Sequence, residues 1–428
     1  MSLIRGYLAF CIFSILLILG GCGGGSSSGS GGNPPPPPPP PPPPSGPASG
    51  SEFLYQIPFT GDTQVSAVSP STGALSQLTD AAPNLSIENM GLHPVVTPSG
   101  KFLYVQGFDQ SSVVTPPVNA IYCFSITGSE GQLTSLPGSP FIATDLNDPS
   151  LFIGSMPNGM TIDGQGRFFY LSDSDGTNAS GQSINAIRAY TINATGGALA
   201  NGPILTSISV VWLSVQAIDP ASKYLYAATE ISSGLAIAVY AIDATTEVLT
   251  EVPGSPFYVT NSPEGVQYNL SLLVSPTGSF IYATVTNFVY GGPGTFVFSV
   301  DPATGTLTVV PGSPFSIGTY ASGATLHPNG NFLYVTETTN QAVTGVSVFA
   351  VDSTNGPIDT TPVSSVTSAD YFGLSLIDPS GQVLVLNDSY DTASTFTIDG
   401  STGSLTAAAG SPFAVAPGWE SAIIVKIP

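Results

Sequence analysis

Positive charge is what this chain has least of. Six Lys and Arg stand against 27 Asp and Glu, a formal charge of −21 at pH 7. A field of that sign repels phosphate, which argues against nucleic acid as a partner and against adsorption on anionic lipid headgroups. The acidic groups can attract cations, or simply keep the surface soluble. Charged residues of either sign make up only 8% of the 428, too few for the solvated faces of amphipathic helices. With 48 Gly and 40 Pro, the composition is that of a turn-rich β protein. Histidine is nearly absent as well: His93 and His327 are the two in the chain, so a general base of the commonest kind is scarce. Cysteine is limited to Cys11, Cys22 and Cys123. The first two fall in or at the end of an N-terminal leader, which leaves Cys123 without a partner and excludes a disulfide in the folded part. Cys123 sits in "AIYCFSI", where other repeats carry Val or Ala, and is expected to be a small buried apolar side chain.

The leader is "MSLIRGYLAFCIFSILLILGGC": Arg5, an apolar run from Tyr7 to Leu19, then small residues. That order is an export signal. Its ending, "LGGC", resembles the lipobox of bacterial lipoproteins, which implies cleavage after Gly21 and lipidation of Cys22. Residues 1–21 are therefore expected to be a signal peptide. Residues 22–51 hold Gly/Ser stretches and the prolines Pro34 to Pro44, and lack the apolar side chains that a core needs. They are expected to be a tether whose polyproline segment extends about 3.1 Å per residue, or roughly 34 Å.

Residues 52–428 repeat. An aromatic and aliphatic signature recurs seven times, as "FLY" at Phe53, "FLYV" at Phe102, "FFYL" at Phe168, "YLYA" at Tyr224, "FIYA" at Phe280, "FLYV" at Phe332 and "VLVL" at Val383. The third residues are Tyr55, Tyr104, Tyr170, Tyr226, Tyr282, Tyr334 and Val385, separated by 49, 66, 56, 56, 52 and 51 positions. Each interval holds four short strands and their turns, the size of a propeller blade. An apolar strand leads through a turn such as "SPTG" at Ser275 or "HPNG" at His327 into the signature strand. A third strand follows, then a "TGxL" turn and a short fourth strand, often ended by "GSPF". Those four GSPF copies read as exits from outer strands, with Phe re-anchoring the chain before it crosses to the next blade. Phe124, Tyr190, Tyr240, Phe298, Phe349 and Phe396 occupy one matching position in the third strands and are expected in the core. The first repeat lacks an inner strand and the chain finishes with an unpaired one, "SAIIVKI". The expected fold is an all-β, seven-bladed propeller of four-stranded blades, closed when the C-terminal strand completes the first blade.

These repeats, with "HPNGNFLYV", "VSVFAVDSTNG" and "DPATGTLTVVPGSPF", resemble the seven-bladed propeller lactonase family that includes bacterial 6-phosphogluconolactonase. The resemblance covers Glu52 to Pro428. It implies lactone chemistry by His, Arg and carboxylate side chains at one end of the ring. The sequence departs from that set. His327 lies in a turn with a structural look, and Lys101, Arg167 and Lys223 follow turns on the opposite face. Lys426 is in the closing strand, which leaves Arg188 as the one cation of the third strands. No residue carries over as catalytic, and a phosphorylated lactone is disfavoured, since phosphate recognition calls for clustered Arg or Lys.

Eight residues before each inner-strand turn stand Met90, Met156, Trp212, Tyr268, Tyr320 and Tyr371, and Trp419 falls within one residue of that place in the closing strand. These are expected where inner strands begin at the upper face, either plugging gaps between blades or forming a stacking platform. Carboxylates follow the signature strands near the same face: Asp109, Asp173, Asp175, Glu230, Glu337, Asp388 and Asp391, with Asp370 and Glu420 beside the aromatics. They suit sugar hydroxyls, a cation, or acid/base work. "DSDGTN", from Asp173, faintly resembles a calcium loop but lacks the full spacing and the distal Glu, so neither metal nor cofactor is expected. The leading expectation is a monomeric, lipid-anchored envelope protein on the periplasmic face or cell surface, its only membrane contact the anchor. Its upper face would bind a neutral or cationic small molecule or a protein. The alternative is a lactone hydrolase that uses Asp or Glu.

Overall fold

A computed structural model describes residues 51–58, 63–78, 92–109, 118–142, 156–177, 183–207, 212–261, 269–286, 294–317, 321–339, 342–371, 375–389, 391–415 and 419–427. All lie in the second of the chain's two units, Gly46–Pro428. The expected leader and tether fall outside the described residues.

The chain is a seven-bladed β-propeller. In blade 5, Asn269–Val274, Phe280–Thr286, Gly294–Val300 and Leu307–Val309 pair in sequence order as one antiparallel sheet, and the other blades follow the same plan. Each inner strand touches the inner strands of both neighbouring blades, and the circuit closes from Ser375–Ile377 of blade 7 to Trp419–Lys426 of blade 1. That last strand pairs with Glu52–Pro58, placing Phe53 opposite Val425 and Tyr55 opposite Ile423. The C-terminal strand is thus the inner strand of the first blade, as the repeat pattern predicts.

The core lies between blades. Seven apolar clusters fill the seven gaps, including one between blades 7 and 1 built on Leu54, Val383, Val385 and Ile424. Phe124, Tyr190, Tyr240, Phe298, Phe349 and Phe396 are all buried, and so is Cys123, whose thiol burial pushes up to about 12. A thiol so poor in thiolate is inert at neutral pH.

Among the described residues, four of the seven blade junctions are stitched at their lower ends by the turns between third and outer strands. The Tyr55 hydroxyl donates to the Gly131 carbonyl and Tyr104 to that of Gly197, both at 2.7 Å, and Tyr334 to that of Gly403 at 3.3 Å. Blade 7 has Val385 where a Tyr would stand. There Thr395, directly across the sheet, donates to Gly73 of blade 1 at 2.7 Å. These turn glycines have positive φ, and Gly131, Gly197 and Gly403 also lie against the aromatic that opens the preceding signature strand: a Cβ on Gly197 would sit 2.3 Å from the Phe102 ring. Acidic residues shape the same turns. Asp243, Asp301, Asp352 and Asp399 accept hydrogen bonds from residues two and three positions on, which hold them below the ordinary carboxylate range. Part of the acidic excess is therefore turn-forming.

The four GSPF turns end the first run of the outer edge and, as expected, the Phe re-anchors the chain before it leaves the blade. In each, the Ser–Pro bond is cis and the Gly φ lies between 87° and 95°. The Ser Oγ accepts the third-strand N–H of Cys123, Val239, Val297 or Thr395 at 2.9–3.0 Å. The Phe then pairs again with that same strand, opposite Ile121, Ile237, Thr295 or Ala393. GSPF is an interruption within the outer edge, and the serine supplies the acceptor that the ladder loses there.

Candidate ligand-binding face

The upper face is the end where signature strands finish and inner strands begin. Antiparallel register places the bulky residues beside the carboxylates there: Trp212 stands opposite Glu230, Met156 opposite Ser174, and Ala321, next after Tyr320, opposite Glu337. Trp419 is opposite Pro58. Met156, Trp212 and Trp419 open the inner strands of blades 3, 4 and 1, as predicted. Tyr371 is placed differently. The outer strand of blade 6 runs through all of Ile358–Tyr371, so Tyr371 ends that strand opposite Val343 instead of opening blade 7. Met90, Tyr268 and Tyr320 fall outside the described residues, as do the side chains of Met156, Trp212, Tyr371 and Trp419.

Glu230 and Glu337 are half-buried near the upper ends of signature strands. Asp388 is 5% exposed, at a register shift between Asn387 and Ser389, and Asp391 is exposed just before the third strand of blade 7. Asp109 ends its strand opposite Val118. Asp173 and Asp175 lie within Phe168–Thr177, where Gly176 and Thr177 pair with Ile184 and Ser183. "DSDGT" is strand, with a register shift between Asp173 and Gly176. The side chains of Asp109, Asp173 and Asp175 fall outside the described residues, and so does that of His93.

Arg167 and His327 are committed elsewhere. Arg167, at the lower face, pairs with Asp163 at 3.2 Å, donates to the Ala244 carbonyl at 3.1 Å and lies over the Phe168 ring. His327 is buried in its turn, its Nε2 2.8 Å from the Gly381 carbonyl and its Nδ1 accepting the Asn329 N–H. This is the structural role expected of it. Arg188 is 6% exposed in the third strand of blade 3, flanked in register by Leu171 and Ile204.

Two features of this end were not anticipated. The position two after each third signature residue is a buried polar group in five blades: Gln106, Ser172, Thr284, Thr336 and Asn387. Ser172 donates to the Gly159 carbonyl and Thr336 to that of Gly323, each tying a signature strand to its inner strand. Alignment of the repeats carries the signal as a polar residue in an otherwise apolar strand. In addition, pairing between inner and signature strands shifts register in blades 1, 2, 3, 4 and 6. Bulges of this kind re-aim side chains and concentrate around binding sites.

Ring and register together define a seven-bladed propeller whose upper end sets Trp212 across from Glu230. A model of the lactonase family, 7-bladed β-propeller, matches residues 215–370. No curated protein matches the sequence. Among solved structures, a Bacteroides uniformis protein provisionally named 6-phosphogluconolactonase superimposes with a TM-score of 0.63 at 16% identity, covering 88% of this chain and 100% of its own. A periplasmic gluconolactonase of Pseudomonas aeruginosa gives 0.62 at 16% identity over the same shares. A Lactobacillus plantarum protein gives 0.60 at 15%, covering 88% of this chain and 99% of its own. At these identities the likeness is one of fold.

Proposed function

We propose that this chain is an envelope lipoprotein whose propeller binds a neutral or cationic, sugar-like small molecule at its upper face. The carrying observation is the register that sets Trp212 across from Glu230 at the start of an inner strand. An indole offers a flat apolar face to the C–H surface of a sugar ring, while a half-buried carboxylate accepts hydroxyl protons or faces a cation. The net charge of −21 works against anionic ligands. The sequence features of the leader support export, lipidation at Cys22 and a spacer over 22–51, and the periplasmic name of the Pseudomonas relative agrees with an extracytoplasmic site. Glu52, paired with Lys426 at the lower end, lies opposite the candidate site.

A second reading, lactone hydrolysis, is favoured by the family match and by the names of two structural relatives. It would rest on Asp388 or Glu337 activating water. One experiment separates the two. The protein is titrated by tryptophan fluorescence against neutral sugars and aldonolactones, with lactone opening followed in parallel. Binding without turnover, weakened about tenfold or more in Trp212→Ala and Glu230→Gln, supports the binding reading. Turnover lost in Asp388→Asn or Glu337→Gln establishes the hydrolase. Ligand affinity unchanged in both Trp212→Ala and Glu230→Gln overturns the proposed site.

A further inference from the structure

The ring is covalently open at one place, and chemistry gathers there. Blades 2 to 7 each have a lower turn joining inner strand to signature strand. In several, a Gly of one turn packs against the turn of the blade before it, as Gly278 does on Pro220, Gly330 on Pro276 and Gly381 on His327. Blade 1 has no such turn, because its inner strand comes from the C-terminus and its signature strand from the start of the fold. The vacant position is filled by Glu52, which stands directly opposite Lys426 in the closing pair, with Nζ 3.7 Å from Oε1. Glu52 faces Asp378, in the turn of blade 7, and both are fully shielded from solvent.

The two carboxyls differ in the donors that reach them. Asp378 Oδ1 accepts the N–H groups of Gln382 and Val383, each at 2.6 Å, and Oδ2 accepts the Ser380 hydroxyl. Asp163 and Asp219 hold the same place in blades 3 and 4, and their Oδ1 atoms accept the equivalent pairs of N–H groups. Three donors thus engage the Asp378 carboxyl. Ser380 lies near both carboxyls, but its one hydroxyl proton goes to Asp378, and by geometry neither Glu52 oxygen has a hydrogen-bond partner. Two buried carboxyls that face each other repel when both are charged, and a proton on Glu52, the one without donors, removes that repulsion and supplies a donor toward Asp378. Among the described residues, Asp378 and Lys426 are the charged groups facing Glu52, and Ser380 is the polar one. The Lys426 side chain is half exposed and its contact is long, so it offsets a second buried negative charge only in part.

We propose that Glu52, Asp378 and Lys426 form a proton-operated latch on the ring closure, locked while Glu52 is protonated and loosened once it ionises. Burial, with Asp378 adding to it, pushes Glu52 up to about 8 from an ordinary 4.5. A group whose proton is held more tightly in the closed ring than in the opened one stabilises closure fully below the lower value. That contribution is lost as pH rises through about 8.

The test is amide hydrogen exchange of the full chain at pH 6 and pH 9, corrected for intrinsic rates. Protection of Ser421–Ile427 should fall roughly tenfold or more, while that of Phe280–Thr286 in blade 5 changes little. Glu52→Gln, which keeps a donor toward Asp378 without titrating, should flatten the response. Equal losses in both segments, no loss in the closing strand, or a Glu52→Gln profile parallel to the parent would each overturn the latch. If Glu52→Gln fails to fold, the comparison of the two segments in the parent chain decides by itself.

Discussion

Gly197 shows how much rests on one missing methyl group. Its backbone is left-handed, with φ 68°, and the Phe102 ring occupies the space that a side chain would need. Gly138 shares the first condition and lacks the second: its φ is 87°, and nothing lies within 4 Å of a Cβ built there. Gly138→Ala should therefore cost about 1 to 2 kcal/mol from backbone strain alone, and Gly197→Ala about 2 to 5 kcal/mol once overpacking is added. Denaturant titration of the two variants checks the difference, and equal losses would place the whole effect in the backbone. The need for glycine at these turns was readable in the repeats, since "TG" recurs at one place. The aromatic neighbour was not, because Phe102 belongs to the preceding blade. Glu247 was equally hidden. It stands where other repeats have Gly, at φ 65°, and its carboxylate accepts the Thr191 hydroxyl of blade 3 at 2.6 Å. So was Thr395, whose bond to Gly73 replaces the tyrosine missing from "VLVL".

At the scale of elements, GSPF shows how far a motif can be read and where reading stops. Its recurrence announced a repeated turn, and Gly and Pro announced the geometry, but its serine gained a role only when the third strand lay alongside. Ser255 Oγ accepts the Val239 N–H at 3.0 Å within the ladder of blade 4. Ser255→Ala leaves that N–H without its acceptor and should cost about 1 to 3 kcal/mol. Thermal unfolding checks this, with Ser313→Ala in blade 5 expected to behave alike and the pair to add, since the two turns share no partner. Tyr371 is the counterexample for strand limits. Counting back from a turn assumed that every outer strand is short, whereas Ile358–Tyr371 keeps pairing over 14 residues. Hydrophobic alternation marks where strands exist, but their length depends on whether a neighbouring edge continues to offer partners.

For the whole molecule, closure is the property on which the others depend. Removing the chain after Gly418 deletes the inner strand of blade 1, leaves the edge of Glu52–Pro58 unpaired and exposes apolar surface on Leu54 and Val383. Such a truncation should lower the melting temperature by many degrees and promote association through the open edge. An unchanged melting curve would show that the closing strand adds nothing to stability. The candidate ligand face depends on closure too, since Trp419 lies on the strand that would be lost.

The amino-acid sequence alone determined the number of blades, the order of strands within each and the strand that completes the ring. These follow from patterns counted along the chain: a signature repeated seven times, alternating burial, and one unpaired strand at each end of the fold. Tertiary structure alone decided which side chains meet across blades: Glu52 with Asp378, Tyr104 with Gly197, and Thr395 with Gly73, 322 positions apart. Local pattern specifies which face of a strand is apolar. The partner on the facing blade is set by how seven twisted sheets close into one circle, and that closure belongs to the whole chain.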